Sequence, residues 1–408
     1  MTAPRLPIAL TAVAGVALLL VGCVAKTDAA ASDSLTVTSS ADDCAVSATT
    51  ASSGPLAFEV SNLGDEVTEF YLLAEDGLRI VGEVENIAPG ASRTLTVVAQ
   101  PGSYYTLCKP GMVGEGVGKT AFQVSGDAVA VTGEDAEQKQ HAVDLYAAFV
   151  KDQVEQLVPA VATFTAAYQA GDDAAARTQF PQVRAYYERI EPVAEALGDL
   201  DPRIDYREVD ARAEGLDWTG FHRIEKDLWV PAADAVNSDG SSAHEDWAPS
   251  TSAERATYAA ALVADVQELS DYVHSDDFSQ ALDDQGVAGI SNGAIALLDE
   301  VATGKISGEE DWWSGTDLSD FAANVEGSKM AFSLVRDFAE SKGDTGAALV
   351  RRIDEGYAHL ESALAAHGSL ASGFTAYGEV GESDRRDLTD LINALAEPLS
   401  QLTGTILQ

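Results

Sequence analysis

His222 and Glu225 stand three residues apart in Asp217-Trp-Thr-Gly-Phe-His-Arg-Ile-Glu-Lys-Asp-Leu-Trp229. At helical pitch that spacing projects both side chains from one side. A neutral imidazole beside a carboxylate can hold a divalent or trivalent cation; the same two groups can instead simply hydrogen-bond to each other. Two further carboxylates with the same spacing, Glu188 and Glu191, lie upstream in Tyr187-Glu-Arg-Ile-Glu-Pro192, where a helix would set them on one face. A third acidic cluster, Gly198-Asp-Leu-Asp-Pro-Arg-Ile-Asp205, sits between the two pairs. If these segments converge, one nitrogen and several oxygens surround the ion. Such a donor set suits a fairly hard cation, Fe3+, Fe2+, Mn2+ or Zn2+, rather than Cu(I).

Hydrolytic zinc chemistry asks for more. It needs a third protein ligand, an open coordination position and a general base. The chain has no His-Glu-x-x-His, and the inverted His-x-x-Glu-His fails because Lys226 stands where its second histidine belongs. A distant third ligand would have to be His359 or His367. These two, with His141, His244 and His274, lack a convincing partner pattern, and Trp312 and Trp313 read as core or interface aromatics.

Phe221, Ile224 and Leu228 recur at helical spacing, which predicts a short amphipathic helix with one apolar face, started near Asp217 or Thr219. The chain reads as helical from about residue 135 onward. Val143 to Ala170, with a kink or break at Pro159, and Asp172 to Leu197 come first, then Asp205 to Arg212 and the motif helix. Residues 231–252 are rich in Ser, Asp, Pro and Gly and read as a long loop. Ala253 to His274, Phe278 to Thr303, Leu318 to Lys342, Gly346 to His367 and Asp384 to Thr403 complete an all-α bundle with short linkers. Residues 35–132 read as all-β. Strands are expected at Leu35-Thr-Val-Thr, Leu56 to Val60, Thr68 to Leu73, Leu78 to Val84, Thr94 to Ala99, Ser103 to Cys108 and Ala121 to Val124, and turn clusters separate them. That spacing predicts a β-sandwich. The pattern changes abruptly around Gly133 to Gln140, where a domain boundary is expected.

The chain of 408 residues carries 66 acidic and 25 basic side chains, a formal net charge of -41. Nucleic acid and anionic membrane surfaces are poor partners for it, and cations are natural ones. Arg5, the apolar run Leu6 to Val21 and the lipobox-like Leu20-Val-Gly-Cys23 predict an export signal with lipidation at Cys23. Residues 24–34 would be a polar tether. No later segment has the ~20 apolar residues of a spanning helix. Cys44 and Cys108 read first as a disulfide, as expected of an even pair in an oxidising compartment. The run Cys108-Lys-Pro-Gly-Met112 is similar to the copper-binding corner of a cupredoxin, yet no histidine precedes His141, so a blue-copper centre is not expected. Glu69 and Glu85, with Met112 nearby, could still hold a metal.

Thr219-Gly-Phe-His-Arg-Ile-Glu225, Tyr187-Glu-Arg-Ile-Glu-Pro192 and Asn292-Gly-Ala-Ile-Ala-Leu-Leu-Asp-Glu-Val-Ala-Thr-Gly-Lys-Ile-Ser-Gly-Glu-Glu310 together resemble the imelysin-like domain of the EfeO family. Members of that family are exported components of EfeUOB-type iron uptake systems. Asn86-Ile-Ala-Pro-Gly90 and Cys108-Lys-Pro-Gly-Met112 resemble the family's cupredoxin-like domain. The resemblance implies a non-enzymatic, lipid-anchored protein that holds iron through His222 and Glu225 with Glu188, Glu191, Asp205 and Glu300. It also implies a second metal site drawn from Cys44, Glu69, Glu85, Cys108 and Met112. Iron, ferric or ferrous, is the expected metal of the protein, with zinc or copper as further ions that could bind in vitro. Delivery to an EfeU-type membrane permease, with an EfeB-type haem peroxidase as a further partner, is the implied role. An imelysin-type zinc peptidase and a cation-bridged binder of acidic polysaccharide are the competing expectations.

Overall fold

The computed structural model describes residues 33–75, 77, 80–112, 116–129 and 136–407. The export signal, the lipidation site Cys23 and the tether up to residue 32 lie outside them. Among the described residues no helix is long and apolar enough to cross a membrane.

The N-terminal part is built from β1 (Asp33–Ser39), β2 (Cys44–Val46), β3 (Thr50–Ser52), β4 (Gly54–Asn62), β5 (Thr68–Leu73), β6 (Ile80–Ile87), β7 (Ser92–Ala99), β8 (Gly102–Pro110) and β9 (Val117–Ser125). They form two sheets, ordered β2-β1-β4-β7 and β3-β9-β8-β5-β6. In β4 the burial alternates: Leu56, Phe58 and Val60 point inward and Glu59 outward, the period-two pattern of a half-buried strand. Phe58 packs against Phe70 and Phe122 of the facing sheet at centroid distances of 5.2 and 5.6 Å. The expected strands are present, except that Leu78 and Arg79 at the start of the Leu78 to Val84 run lie outside the described residues. The short β2 and β3 escape sequence reading because three-residue runs carry no periodicity. Cys44 of β2 and Cys108 of β8 are bridged and tie the two sheets together. Neither therefore offers a thiolate, which removes both from the expected ligand set.

The remainder is helical: α1 (Ala136–Ala170), α2 (Asp173–Glu188), α3 (Glu191–Glu195), α4 (Asp201–Ile204), α5 (Glu208–Glu214), α6 (Gly220–Leu228), α7 (Ser252–Val273), α8 (Asp276–Glu300), α9 (Asp317–Glu340), α10 (Gly343–Leu364), α11 (Glu382–Leu399) and α12 (Leu402–Ile406). One apolar core runs through them, and Val150, Leu157 and Phe164 of α1 are fully buried in it. Helix α1 continues through Pro159, so of the expected kink or break there the break does not occur. The expected segment Asp172 to Leu197 does break, between α2 and α3. Pro192 has no N–H to give the Glu188 carbonyl one turn back. The Asn324 side-chain amide of α9 donates to that carbonyl instead, at 2.7 Å. Glu188 and Glu191 therefore do not share a helical face. Beyond α8 the chain makes a single π turn, Val301–Lys305, a feature often found where a side chain must be re-aimed.

Sheet and bundle meet along a polar seam. The backbone N–H of Ile80 donates to the Ala196 carbonyl at 3.1 Å. Arg93 of β7 pairs with Asp299 of α8 at 2.8 Å, and the Asn292 amide donates to the Thr96 carbonyl at 3.0 Å. Lys109 of β8 pairs with Glu214 of α5 at 3.2 Å.

Candidate metal centre

Helix α6 departs from the amphipathic expectation: all of its residues are buried. Phe221, Ile224 and Leu228 join the apolar core. The opposite face turns His222, Glu225 and Lys226 into a buried polar interior rather than into water. The start of the helix is pinned by contacts to the segment that carries Asp205. Thr219 occupies the position before the first turn, but its hydroxyl donates to the Arg203 carbonyl at 2.8 Å instead of capping the helix. Gly220 follows with φ 79°, and a Cβ on it would lie 2.1 Å from the Ile204 carbonyl oxygen. Only glycine allows the two segments to come that close.

His222 sits between two pairs of carboxylates. Its Nε2 lies 3.3 Å from Glu310 Oε1 and 3.5 Å from Asp205 Oδ1. Its Nδ1 lies 3.1 Å from Glu225 Oε2 and 3.8 Å from Asp311 Oδ1. The other oxygen of Glu225 accepts the backbone N–H groups of Trp313 and Ser314, at 3.1 and 2.7 Å. Glu225 is thus fixed by the backbone and in turn fixes the ring, leaving Nε2 aimed at Asp205 and Glu310. Ligand atoms of Asp205, His222 and Glu310 lie within 4.8 Å of one another, as do those of His222, Glu225 and Asp311.

Around this histidine lies a dense array of buried charge. Arg184 of α2 is fully buried and pairs with Glu188, Asp205, Glu310, Asp311 and Asp320. Lys305, delivered by the π turn, is also fully buried and lies 3.2 Å from Glu188, 3.1 Å from Glu191 and 3.7 Å from Glu300. Seven carboxylates (Glu188, Glu191, Asp205, Glu300, Glu310, Asp311 and Asp320) thus face these two buried cations. Buried oxygens of Asp311, Asp317 and Asp320 have no hydrogen-bond partner. Excess negative charge in a low-dielectric site raises the cost of ionisation. Burial accordingly pushes the Glu188, Glu191, Asp311 and Asp320 carboxyls up. Glu310 is the exception: burial opposes its ionisation, but Lys305 and His222 outweigh it and hold the carboxyl well below the usual range. At His222, burial and Arg184 disfavour the proton, yet Glu225, Glu310 and Asp205 prevail and raise the pKa to about 10.

Asp205 and Glu310 open onto a cleft of about 1040 Å³ between sheet and bundle, lined by thirteen acidic residues and three basic ones. Glu310 also lines a small recess that reaches His222 and Glu225.

Of the residues expected at the site, His222, Glu225 and Asp205 are together, and Glu188 and Glu191 gather around Lys305. Glu300 belongs to a different carboxylate group, with Glu85 and Glu195. Glu69 is buried on β5 and accepts the Tyr71 hydroxyl at 2.5 Å. Met112 lies in the turn after β8 on the cleft wall. Cys44, Glu69 and Cys108 enter none of the metal-capable groups among the described residues. Sequence reading missed Arg184, Lys305, Glu310, Asp311 and Asp320. Signals existed: Arg184 stands one turn before Glu188, and Asp320 lies inside a run that includes Leu318 and Phe321, where an exposed aspartate would be out of place. Lys226, where the inverted peptidase motif would have its second histidine, is fully buried and paired with Glu208.

A family model described as Imelysin matches residues 142–402, and one described as Cupredoxin-like domain matches residues 11–118. The chain is 34% identical over 365 residues to "Iron uptake system component EfeO" of Yersinia pestis, covering 89% of this chain and 88% of that one. It is 34% identical over 372 residues to the protein of the same description in Escherichia coli (strain K12), covering 91% and 90%. A crystal structure of an imelysin-like protein from Psychrobacter arcticum aligns over 66% of this chain and 95% of its own, at 11% identity and a TM-score of 0.42.

Proposed function

The chain belongs to the EfeO family of iron uptake system components, and from that premise we propose that it captures iron for transport. Iron is held as cargo at His222 Nε2, Asp205 and Glu310. The observation that carries this reading is the convergence of these three ligand atoms within 4.8 Å at the edge of an acidic cleft. One imidazole and two carboxylates, with further carboxylates nearby, suit a hard cation. The acidic lining raises the local cation concentration and so speeds capture. Glu225 positions the imidazole, a role that fixes both tautomer and ring orientation in metal-bound histidines. Arg184 and Lys305 balance part of the charge while the site is empty of cargo. Lipidation at Cys23 keeps the protein at the outer face of the cell membrane, where it hands iron to an EfeU-type permease, with an EfeB-type haem peroxidase as a further partner. The protein is a carrier and not a hydrolase.

Calorimetric titration with Fe3+, Fe2+, Zn2+ and Cu2+ tests the reading. Tight iron binding that disappears in a His222→Ala/Asp205→Ala variant of unchanged helicity is expected. Iron binding that survives both substitutions would remove the site from consideration.

A further inference from the structure

Away from His222, three glutamates from three different elements meet across the seam between sheet and bundle. Glu85 comes from β6, Glu195 closes α3 and Glu300 ends α8. Each offers a carboxylate oxygen, and the three oxygens lie within 4.8 Å of one another. Like charges at that separation repel strongly where water is scarce. Glu85 is only 5% exposed. Its Oε2 is buried with no hydrogen-bond partner, an arrangement that native proteins rarely leave without an ion or a water to satisfy it. Burial, reinforced by Glu300 and Glu83, pushes the Glu85 carboxyl well up. The neighbouring cations do not answer this oxygen. Arg93 donates to the Glu85 backbone carbonyl at 2.7 Å and pairs with Asp299, while Lys305 stands 3.7 Å from Glu300 and closer to Glu188 and Glu191.

We propose that Glu85, Glu195 and Glu300 form a second cation site, all oxygen in its protein ligands, that clamps β6 to α3 and α8. With neither imidazole nor thiolate, its donors suit a hard divalent or trivalent ion rather than Cu(I). The three residues line the same cleft as Asp205 and Glu310 but share no ligand with the iron site. The clamp therefore stands or falls independently of the function proposed above. Its consequence is mechanical. A cation here joins the sandwich to the bundle, so its loss loosens the cleft walls without touching His222.

Mn2+ is the probe, counted by electron paramagnetic resonance on the intact chain. The expected result is that a Glu85→Gln/Glu195→Gln/Glu300→Gln variant binds one Mn2+ fewer than the wild type, whereas His222→Ala retains that ion. In a His222→Ala background Mn2+ should also raise the melting temperature when the three glutamates are intact, and not when they are replaced by glutamine. Glutamine keeps the shape and removes the repulsion, so the metal-free triple variant should melt no lower than the wild type. If it does not fold, the single Glu85→Gln variant supplies the same readout. An unchanged Mn2+ count in the folded variant would overturn the proposal. Loss of iron binding only in His222→Ala, with the Mn2+ count of the glutamine variant unchanged, would sink the clamp and leave the iron site standing.

Discussion

Arg184 and His222 converge on the same two carboxylate oxygens. Asp205 Oδ1 accepts from Arg184 Nη1 and lies 3.5 Å from His222 Nε2, while Glu310 Oε1 is 3.4 Å from Arg184 Nη2 and 3.3 Å from His222 Nε2. An ion bound at Nε2 draws on oxygens that the guanidinium holds in its absence. Under the proposed function Arg184 is therefore the counter-charge that an incoming ion displaces.

Replacing Arg184 with methionine takes from Asp320 its ion pair and leaves Asp205 to His222 and Glu188 to Lys305. Breaking such a network costs ~3–5 kcal/mol. The loss should be largest in metal-free protein and smaller with saturating iron, because the metal then supplies charge beside Asp205 and Glu310. Calorimetric unfolding of both proteins, with and without Fe3+, measures the difference. Equal losses in the two states would show that Arg184 balances charges the metal never reaches.

Glu225→Gln keeps the size of the side chain and an oxygen for the Trp313 and Ser314 N–H groups. It removes the charge that opposes His222 Nδ1. Changes to groups that orient a metal-bound histidine typically weaken affinity about 10–100-fold. Iron affinity should fall in that range, while His222→Ala should abolish tight binding. A titration in which Glu225→Gln and His222→Ala fail equally would mean that Glu225 is itself a ligand, through the His222, Glu225 and Asp311 group.

The order of β then α elements and the location of the His222 motif were legible because each strand and helix follows its own period. So was Asp205, through its acidic cluster. The partners of the site were harder to see. Lys305 reaches it from a π turn, and Glu310 and Asp311 lie just before α9, so neither 3.6-residue nor two-residue periodicity marks them. Arg184 hides in an ordinary helix and becomes meaningful only when α9 places Asp320 against it. The Glu188/Glu191 pairing failed for a reason present in the sequence, namely the missing N–H of Pro192. The outcome, a break rescued by Asn324, depends on packing between residues 133 positions or more apart.

Proton linkage gives a pH signature. Burial raises Asp201 and Asp317 to about 7, Glu69 to about 7 and Glu83 to about 8 from ordinary values near 4. For His222, the carboxylates outweigh burial and raise it to about 10 from 6.5. Every one of these groups holds more proton folded than unfolded over the neutral range. Stability of the metal-free protein therefore falls as pH rises from about 5 to 8, by about 1.4 kcal/mol per pH unit for each such proton at most. Below that range Glu310 works in the opposite sense: its depressed carboxyl contributes stability above its ordinary value of 4.5 that is lost as pH falls. A melting temperature that peaks on the mildly acidic side of neutrality is expected in chelator. With iron bound the His222 proton is displaced, so affinity should climb with pH and titrations in buffers of different ionisation enthalpy should register proton release. A metal-free melting temperature that rises steadily from pH 5 to 8 would contradict this account of the buried carboxyls.

Gly220→Ala tests whether the close approach of α6 to the Asp205 segment sets the site. The substitution forces a Cβ onto a residue with φ 79°, a strain of ~1–2 kcal/mol, and places it 2.1 Å from the Ile204 carbonyl oxygen and 2.7 Å from that of Arg203. The second term can be relieved only by moving α6 away from residues 203–205. That movement separates His222 from Asp205 while leaving each side chain intact. Gly171→Ala is the matched control, because Gly171 has φ 76° but nothing within 4 Å of its would-be Cβ. Both variants should lose stability through the strain, and Gly220→Ala should lose more. Only Gly220→Ala should bind iron weakly, at unchanged helicity by circular dichroism. If the two bind iron equally well, the 3.5 Å approach of His222 to Asp205 does not govern affinity, and Glu310 must carry the oxygen side of the site.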